Sequence, residues 1–407
     1  MIELGLARIR RLLHNTPQPW RAIHVAGTNG KGSICAYLAA LFHASGQSCG
    51  RFTSPHLIDR WDGIAVDGAP VSEAAFREAE AAVKQREKAG GIGASEFELL
   101  TATAFELFNR AQVRFAVVEA GMGGRLDATN AMHHKDVAVI ARIGLDHQAF
   151  LGNTLEEIAT QKAGIISPGV KVVVHPTNPP SVLEALEQHA REFQAADFCV
   201  PGIVDLAAVM AEEGWEPHQV ENLAVAQLAF RCAFFGSSQP LTHLLPALRR
   251  VEWPGRLQKL DISAVAGRTE PVLLDGAHNT QSAEALAAYV TKHLRVEGQP
   301  LTWVLAATQG KDMNGILALL LRPGDRVAAV RFEPVDGMPW VSPVEPADLL
   351  SMTSQHGISP LDQHDSGSDV KGALTWASSV AAEGPLVIAG SLYLVSSVLR
   401  LLRKQNS

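Results

Sequence analysis

Ten residues near the start of the chain, His24-Val25-Ala26-Gly27-Thr28-Asn29-Gly30-Lys31-Gly32-Ser33, combine the side chains and the backbone freedom needed to hold a phosphate. Glycines let the backbone approach an oxyanion and turn successive N–H groups towards it, and a helix N-terminus adds favourable dipole charge. The run follows a strand-like apolar segment at residues 22–26 and opens a helical pattern at residues 34–44. In that context Lys31 lies along the β- and γ-phosphates of a nucleotide, and Ser33 offers its hydroxyl to Mg²⁺. The spacing departs from GxxxxGK[ST]: the glycine-to-lysine interval is shorter, and Gly32 separates Lys31 from Ser33. Alone, the loop supports ATP or GTP binding over the plainer reading of a glycine-rich turn.

Further polar groups stand at the ends of apolar runs. Glu119 closes the run 115–119 and is followed by Gly121-Met122-Gly123-Gly124-Arg125-Leu126-Asp127-Ala128-Thr129-Asn130. A carboxylate there suits Mg²⁺, which takes hard oxygen ligands beside nucleotide phosphates; the plainer alternative, N–H bonds accepted from the following turn, carries less weight. Asp146-His147 follows the run 137–143, and a lone loop histidine is as readily structural as functional. Thr154 and Glu157 form a capping-box pattern that starts a helix reaching Lys162, with Gly164 as its stop. From spacing alone Lys162 complements the helix dipole. Later in the chain, Asp275-Gly276-Ala277-His278-Asn279, Thr308-Gln309-Gly310-Lys311-Asp312 and Gly390-Ser391-Leu392-Tyr393 each follow an apolar run. Each is weak singly, because loops between strands and helices often hold such residues.

The elements that must position these groups read as α/β. Strand candidates are 22–26, 115–119, 137–143 and 171–175, then 272–275, 301–308, 326–332 and 386–389, alternating with helical patterns. That alternation implies parallel sheets covered by helices, with ligands at the carboxyl ends of the strands. At 407 residues two domains are expected. Trp253-Pro254-Gly255-Arg256 marks the division, giving domains 1–255 and 256–407 and making a cleft between them the expected site. Residues 88–95 read as a surface loop.

Composition narrows the function. Net charge is −7, from 35 basic and 42 acidic residues, which argues against nucleic acid as the main partner. The four cysteines form no CxxC pair, so neither a metal cluster nor a disulfide framework is expected, and a reducing cytosolic setting fits best. No apolar run is long enough to span a membrane. Residues 2–13 carry Ile2, Leu6, Ile9, Leu12 and Leu13 on one helical face, and Glu3 breaks the acid-poor pattern of a transit peptide. A core-facing first helix is expected there.

The chain closely resembles the dihydrofolate synthase and folylpolyglutamate synthase family, relatives of the Mur ligases. The segments that carry the resemblance are HVAGTNGKGS, FTSPHL, FELLT, VVEAGMGGRLDATN, LDHQAFLGNTLEEIATQKAGI, WPGRLQ, LDGAHN and AGSLYL, spread in the family's order over almost the whole chain. LDHQAFLGNTLEEI, VEWPGRL and GMPW resemble the fungal monofunctional branch in particular. The resemblance implies a P-loop-type ATPase domain with a parallel sheet, then a smaller Rossmann-like domain. It implies ATP held by Gly27, Thr28, Asn29, Gly30, Lys31, Gly32 and Ser33. It implies one Mg²⁺ on Ser33 and Glu119 and a second on His147. Lys162 resembles a family lysine that becomes carbamylated, which overturns the dipole reading. Asn222, Arg256, Asp275 and His278 match positions around the nucleotide and the transferred phosphate, with Lys31, His147, Lys162, Arg256 and His278 as the catalytic set. Ser391 and Tyr393 match a segment associated with glutamate. Ser54, Gly123, Arg125 and Asp127 match the pterin side, with 52–57 and 97–101 nearby.

The implied reaction joins L-glutamate to 7,8-dihydropteroate through an acyl phosphate, in a cytoplasmic, monomeric enzyme whose domains close to exclude water. The alternatives are folylpolyglutamate synthesis, a bifunctional enzyme, a Mur-type peptide ligase, and a nucleotide-binding regulator without ligase activity. The retained Lys31, Glu119 and His147 weigh against the last.

Overall fold

A computed structural model describes residues 4–203, 214–234 and 244–405. The chain divides into two compact units, Met1–Glu252 and Trp253–Ser407, so the division falls three residues ahead of the one read from the Pro-Gly pair.

The first unit is built on an eight-stranded sheet. Its strands are β1 (Arg21–Ala26), β2 (Cys49–Phe52), β3 (Ile64–Val66), β4 (Ala69–Pro70), β5 (Phe115–Glu119), β6 (Lys135–Ile140), β7 (Lys171–Val174) and β8 (Asp197–Cys199). Their spatial order is β4-β3-β2-β5-β1-β6-β7-β8. From β2 to β8 neighbours pair in parallel, whereas β3 and β4 add an antiparallel edge. The parallel sheet expected from the sequence is present, and the antiparallel edge of β3 and β4 consists of segments of two or three residues that carry too little pattern to read. The central strands are apolar on both faces, as parallel strands covered by helices must be. Ile23 and Val25 face one core and Ala22 the other. Each such Ile or Val contributes roughly 1.5–3 kcal/mol by leaving water.

Helices follow their local signals. Lys31–Ala44 runs directly out of the phosphate loop and buries one side against Pro217–Ala233. Ser95 and Glu98 close a capping box on Glu96–Arg110, and Thr154 and Glu157 do the same for Leu155–Ala163, as its sequence predicts. Gly164 is the C-cap of that helix, but in right-handed conformation. The first helix spans Ala7–Leu12 and buries Ile9 and Leu12; Ile2 and Glu3 lie outside the described residues. The loop read at 88–95 is shorter than expected, because Glu73–Gly90 stays helical until Gly91 turns left-handed. Trp20 is buried against Phe105 and Phe108, with its indole N–H donated to Asn109 at 3.0 Å.

The second unit has six strands: β9 (Gln258–Leu260), β10 (Val272–Leu274), β11 (Thr302–Leu305), β12 (Arg326–Ala329), β13 (Gln363–Asp365) and β14 (Leu386–Ala389). They are ordered β13-β12-β11-β14-β10-β9, all parallel except the β10–β9 pair. β11 and β12 end at Leu305 and Ala329, earlier than their apolar runs, although the amides of Ala306 and Val330 still donate to the carbonyls of Ala389 and Leu305. Asp325 is the polar centre of this core. It takes both guanidinium bonds of Arg295, at 2.9 and 2.7 Å, the Trp303 indole N–H at 3.1 Å and the amides of Leu301 and Arg322.

Candidate functional site

In the first sheet β1 lies between β5 and β6, so the loops leaving these three strands emerge side by side at one carboxyl edge. In an open α/β sheet such a point collects ligands. The phosphate loop leaves β1 here, Glu119 ends β5, and Asp146-His147 follows β6.

The loop's glycines are required by close neighbours. Gly27 has φ +151°, and a Cβ there would sit 2.5 Å from the Ala141 Cβ. Gly30 is the N-cap of Lys31–Ala44 at φ +87°, and its Cβ would fall 2.3 Å from Asn222 Oδ1. That second approach puts Asn222, far along the chain and buried, directly on the phosphate loop. The loop is pinned to the segment after β6: the amides of Thr28 and Asn29 donate to the Arg142 carbonyl, and the Gly144 amide donates to Thr28 Oγ1 at 3.0 Å. Ser33 stands in the first turn of the helix.

Lys31 and Glu119 meet at 3.7 Å, with side chains 17% and 6% exposed, and Lys31 also donates to the Thr28 carbonyl at 3.1 Å. Glu119 Oε2 accepts the Ser54 amide at 3.3 Å. The Ser54 hydroxyl beside it is buried and has no hydrogen-bond partner. Lys162, 4% exposed, donates its Nζ to the Gly27 carbonyl at 2.7 Å. Burial, then the charge of Lys31, brings its pKa down to about 7. It is therefore neither a surface cation nor a dipole complement. His147 holds a left-handed turn at φ +53° as N-cap of Gln148–Leu151, with a half-exposed side chain 4.0 Å from Asp146.

The 121–130 loop folds inward onto Asp127. This carboxylate is 2% exposed and accepts the Met122 amide at 2.8 Å and the Thr129 amide and hydroxyl at 3.0 and 2.5 Å. Burial raises its pKa against the pull of those donors. Asp127 thus shapes the loop from within, whereas Arg125 and Leu126 face outward. Gly123, at φ +69°, approaches Leu151, and Gly121 lies against Phe97, itself stacked on Phe52.

In the second unit, the loops after β11, β14 and β10 are again neighbours at one carboxyl edge. Asp275 is 7% exposed and accepts the amides of Leu257 and Ala277, each at 2.8 Å; burial raises its pKa, and Arg256 opposes the rise. Arg256 donates to the Gly255 carbonyl at 3.0 Å, and His278 Nδ1 donates to the Gly276 carbonyl at 2.8 Å. Ser391 is buried and caps the last helix through the Tyr393 amide, at 3.1 Å. Tyr393 packs on Phe332 and reaches Met338 Sδ at 3.6 Å, and burial pushes its pKa up to about 12.

Comparison with known proteins matches residues 258–401 to the family model described as dihydrofolate synthetase, C-terminal domain. Over 425 residues the chain is 36% identical to the dihydrofolate synthetase of Saccharomyces cerevisiae, covering 98% of both chains. It is 38% identical over 422 residues to a probable dihydrofolate synthetase of Schizosaccharomyces pombe, covering 99% of both. The chain belongs to the dihydrofolate synthase and folylpolyglutamate synthase family. A solved bifunctional member of that family, with Mn, AMPPNP and L-glutamate bound, superposes with a TM-score of 0.80 at 26% identity, covering 99% of this chain and 95% of that one. The chain is accordingly an ATP-dependent ligase of two-domain α/β architecture, and among its described residues no helix is long and apolar enough to cross a membrane.

The first-unit edge fits the divalent ion that the family implies. A buried carboxylate, a helix-start hydroxyl and the bare Ser54 hydroxyl are hard oxygen donors. Among the described residues no three His, Cys, Asp or Glu side chains cluster to hold a metal by themselves. Mg²⁺, which keeps waters and nucleotide oxygens, needs no such cluster. Sequence reasoning gave no separate role to His24 and His175, which are buried, or to Lys135, which is partly buried. For His24 the available signal was a histidine inside an otherwise apolar strand, whereas Lys135 opens β6 and His175 follows β7.

Proposed function

We propose that the chain joins the amine of L-glutamate to the carboxylate of 7,8-dihydropteroate with consumption of ATP, giving 7,8-dihydrofolate, ADP and phosphate. The observation that carries this reading is the set of Lys31, Glu119 and Lys162 drawn onto one phosphate loop, in a chain alike over its whole length to two fungal dihydrofolate synthetases.

Lys31 and the amides of 27–33 hold the β- and γ-phosphates, and Asn222 and Asp275 position the nucleotide. Ser33 and Glu119 hold one Mg²⁺ and His147 a second; when bound, these ions neutralise phosphate charge. Phosphoryl transfer leaves the protein little covalent work, so placement and charge dominate. A dihydropteroate carboxylate oxygen takes the γ-phosphoryl group as its bond to ADP breaks. The glutamate amine then attacks the acyl carbon, loses a proton, and phosphate departs. Arg256 and His278 offset the charge that develops on the transferred group.

Lys162 is suited to carbamylation, because a pKa near 7 leaves about half of it as the nucleophilic free amine at neutral pH. A carbamylated nitrogen retains one N–H, so the bond to the Gly27 carbonyl survives. Ser54, Gly123 and Arg125 face the pterin acid, with Asp127 shaping their loop, and the segment of Ser391 and Tyr393 receives glutamate. A cytoplasmic monomer acting on small molecules, without nucleic acid, completes the reading.

Purified protein should release ADP only when dihydropteroate, glutamate, ATP and Mg²⁺ are all present, and Lys31→Ala should lower kcat at least about a hundredfold. Full turnover by Lys31→Ala would overturn the phosphate-loop assignment. Glutamate addition to tetrahydrofolate with none to dihydropteroate would replace this reading by folylpolyglutamate synthesis, and activity on both acids would make the enzyme bifunctional.

A further inference from the structure

His24 lies in the middle of β1, fully buried, with its side chain on the face opposite Ile23 and Val25. Its Nε2 lies 2.8 Å from Thr129 Oγ1, in the 121–130 loop 105 residues away. The hydroxyl of Thr129 is itself 2.5 Å from Asp127 Oδ1. A hydroxyl has one proton, and a carboxylate can only accept it. The direction of the chain follows: Thr129 donates to Asp127, so its oxygen must accept from His24 Nε2–H. His24 is thereby fixed as the neutral tautomer protonated on Nε2, with Nδ1 buried and without a hydrogen-bond partner. Burial and then the neighbouring Lys135 charge hold its pKa well below the ordinary value, which keeps that tautomer neutral.

At its far end the chain sets the loop's shape. Asp127 Oδ1 and Oδ2 take the Thr129 and Met122 amides, fixing both limbs of a loop whose outward residues are Arg125 and Leu126. The opposite side is tied by Lys135, which donates to Asn130 Oδ1 at 2.8 Å and to the Ile165 carbonyl at 2.5 Å. The phosphate loop uses none of these bonds. Its own ties run to Arg142, Gly144 and Lys162.

We propose that His24 is a positioning residue for the acid substrate: through Thr129 it orients the Asp127 carboxylate that shapes the 121–130 loop, so recognition of the pterin acid depends on a histidine buried under the sheet edge. This rests on the assignment of that loop to the pterin side, and the test separates the two.

Thr129→Val removes the relay at nearly constant volume, Thr129→Ser keeps it, and His24→Asn shortens the donor. In full-length protein, hydrogen exchange should quicken about tenfold at the amides of 121–130 in Thr129→Val and His24→Asn, with 27–33 unchanged and Thr129→Ser like wild type. Equal quickening in both loops, or a Thr129→Ser protein as loose as Thr129→Val, would overturn the relay whatever the substrate. In steady-state kinetics the KM for dihydropteroate should rise about tenfold while that for ATP stays within about twofold. Should wild type turn over only a reduced folate, the same split is read on that acid. A loosened 121–130 loop with unchanged KM for either acid would leave the relay standing and refute the pterin assignment.

Discussion

A dry pocket is a costly place for an ammonium group, and Lys162 occupies one. Its folded pKa of about 7 lies below the ordinary 10.5, so between these values the unfolded chain holds a proton that the folded chain has released. Stability should therefore rise with pH between about 7 and 10.5 and level off below about 7, where both states hold the proton. Urea unfolding of wild type in CO₂-free buffer should show that slope, and Lys162→Met should lack it while losing ligase activity. His175 makes the complementary case on the acid side. It is buried at the end of β7, close to Glu221 and hydrogen-bonded by Asn222, and burial, with Arg142 second, lowers its pKa to about 4 from 6.5. Above 6.5 nothing is lost; below it the unfolded state binds protons first, so stability declines until about pH 4. His175→Gln should flatten that decline in an acid titration followed by circular dichroism. Because His175 braces Asn222, the variant should also bind ATP more weakly.

At the scale of elements, the carboxyl edge of the first sheet works through close approaches that only glycine allows. Gly30→Ala would force a side chain into a positive φ and onto Asn222 Oδ1. The expected result is at least about a tenfold loss of ATP-analogue affinity by calorimetry and roughly 1–3 kcal/mol of stability. The apolar runs of β1, β5, β6 and β14 were legible because both faces are buried, so periodicity and composition agree. β3, β4 and β9 were not, since two or three residues of edge strand leave no pattern. Among the candidate site residues, Lys31 and Glu119 were legible from their place at the ends of strands, whereas His147 read as evenly structural or functional until the resemblance was weighed. Lys162 was not legible in that way: its spacing matched a dipole cation, and only the fold shows it turned inward to Gly27. Asp127 and Ser391 are polar letters in glycine-rich loops, and the sequence alone cannot tell whether such a side chain faces a ligand or its own backbone. Here both close their own loops.

At the scale of the molecule, the two units hold separate hydrophobic cores, such as the cluster around Phe42 and Phe115 in the first and that around Trp303 in the second. The second depends on Asp325, whose carboxylate takes five donors in a nearly dry setting. Asp325→Ala would strand the Arg295 charge, and about 3–5 kcal/mol should disappear from the unfolding of residues 253–407. The first unit should be untouched, which limited proteolysis can check by the fragments released.

The two buried indoles give that separation an optical handle. Trp20 belongs to the first unit and Trp303 to the second, each shielded from solvent with its N–H committed to an Asn or Asp oxygen. Emission from an indole shifts to the red when water reaches it. Of the seven tryptophans in the chain, these two are native reporters for opposite halves, and Trp20→Phe or Trp303→Phe silences one channel. A colour change during denaturation then becomes a record of which half opens first.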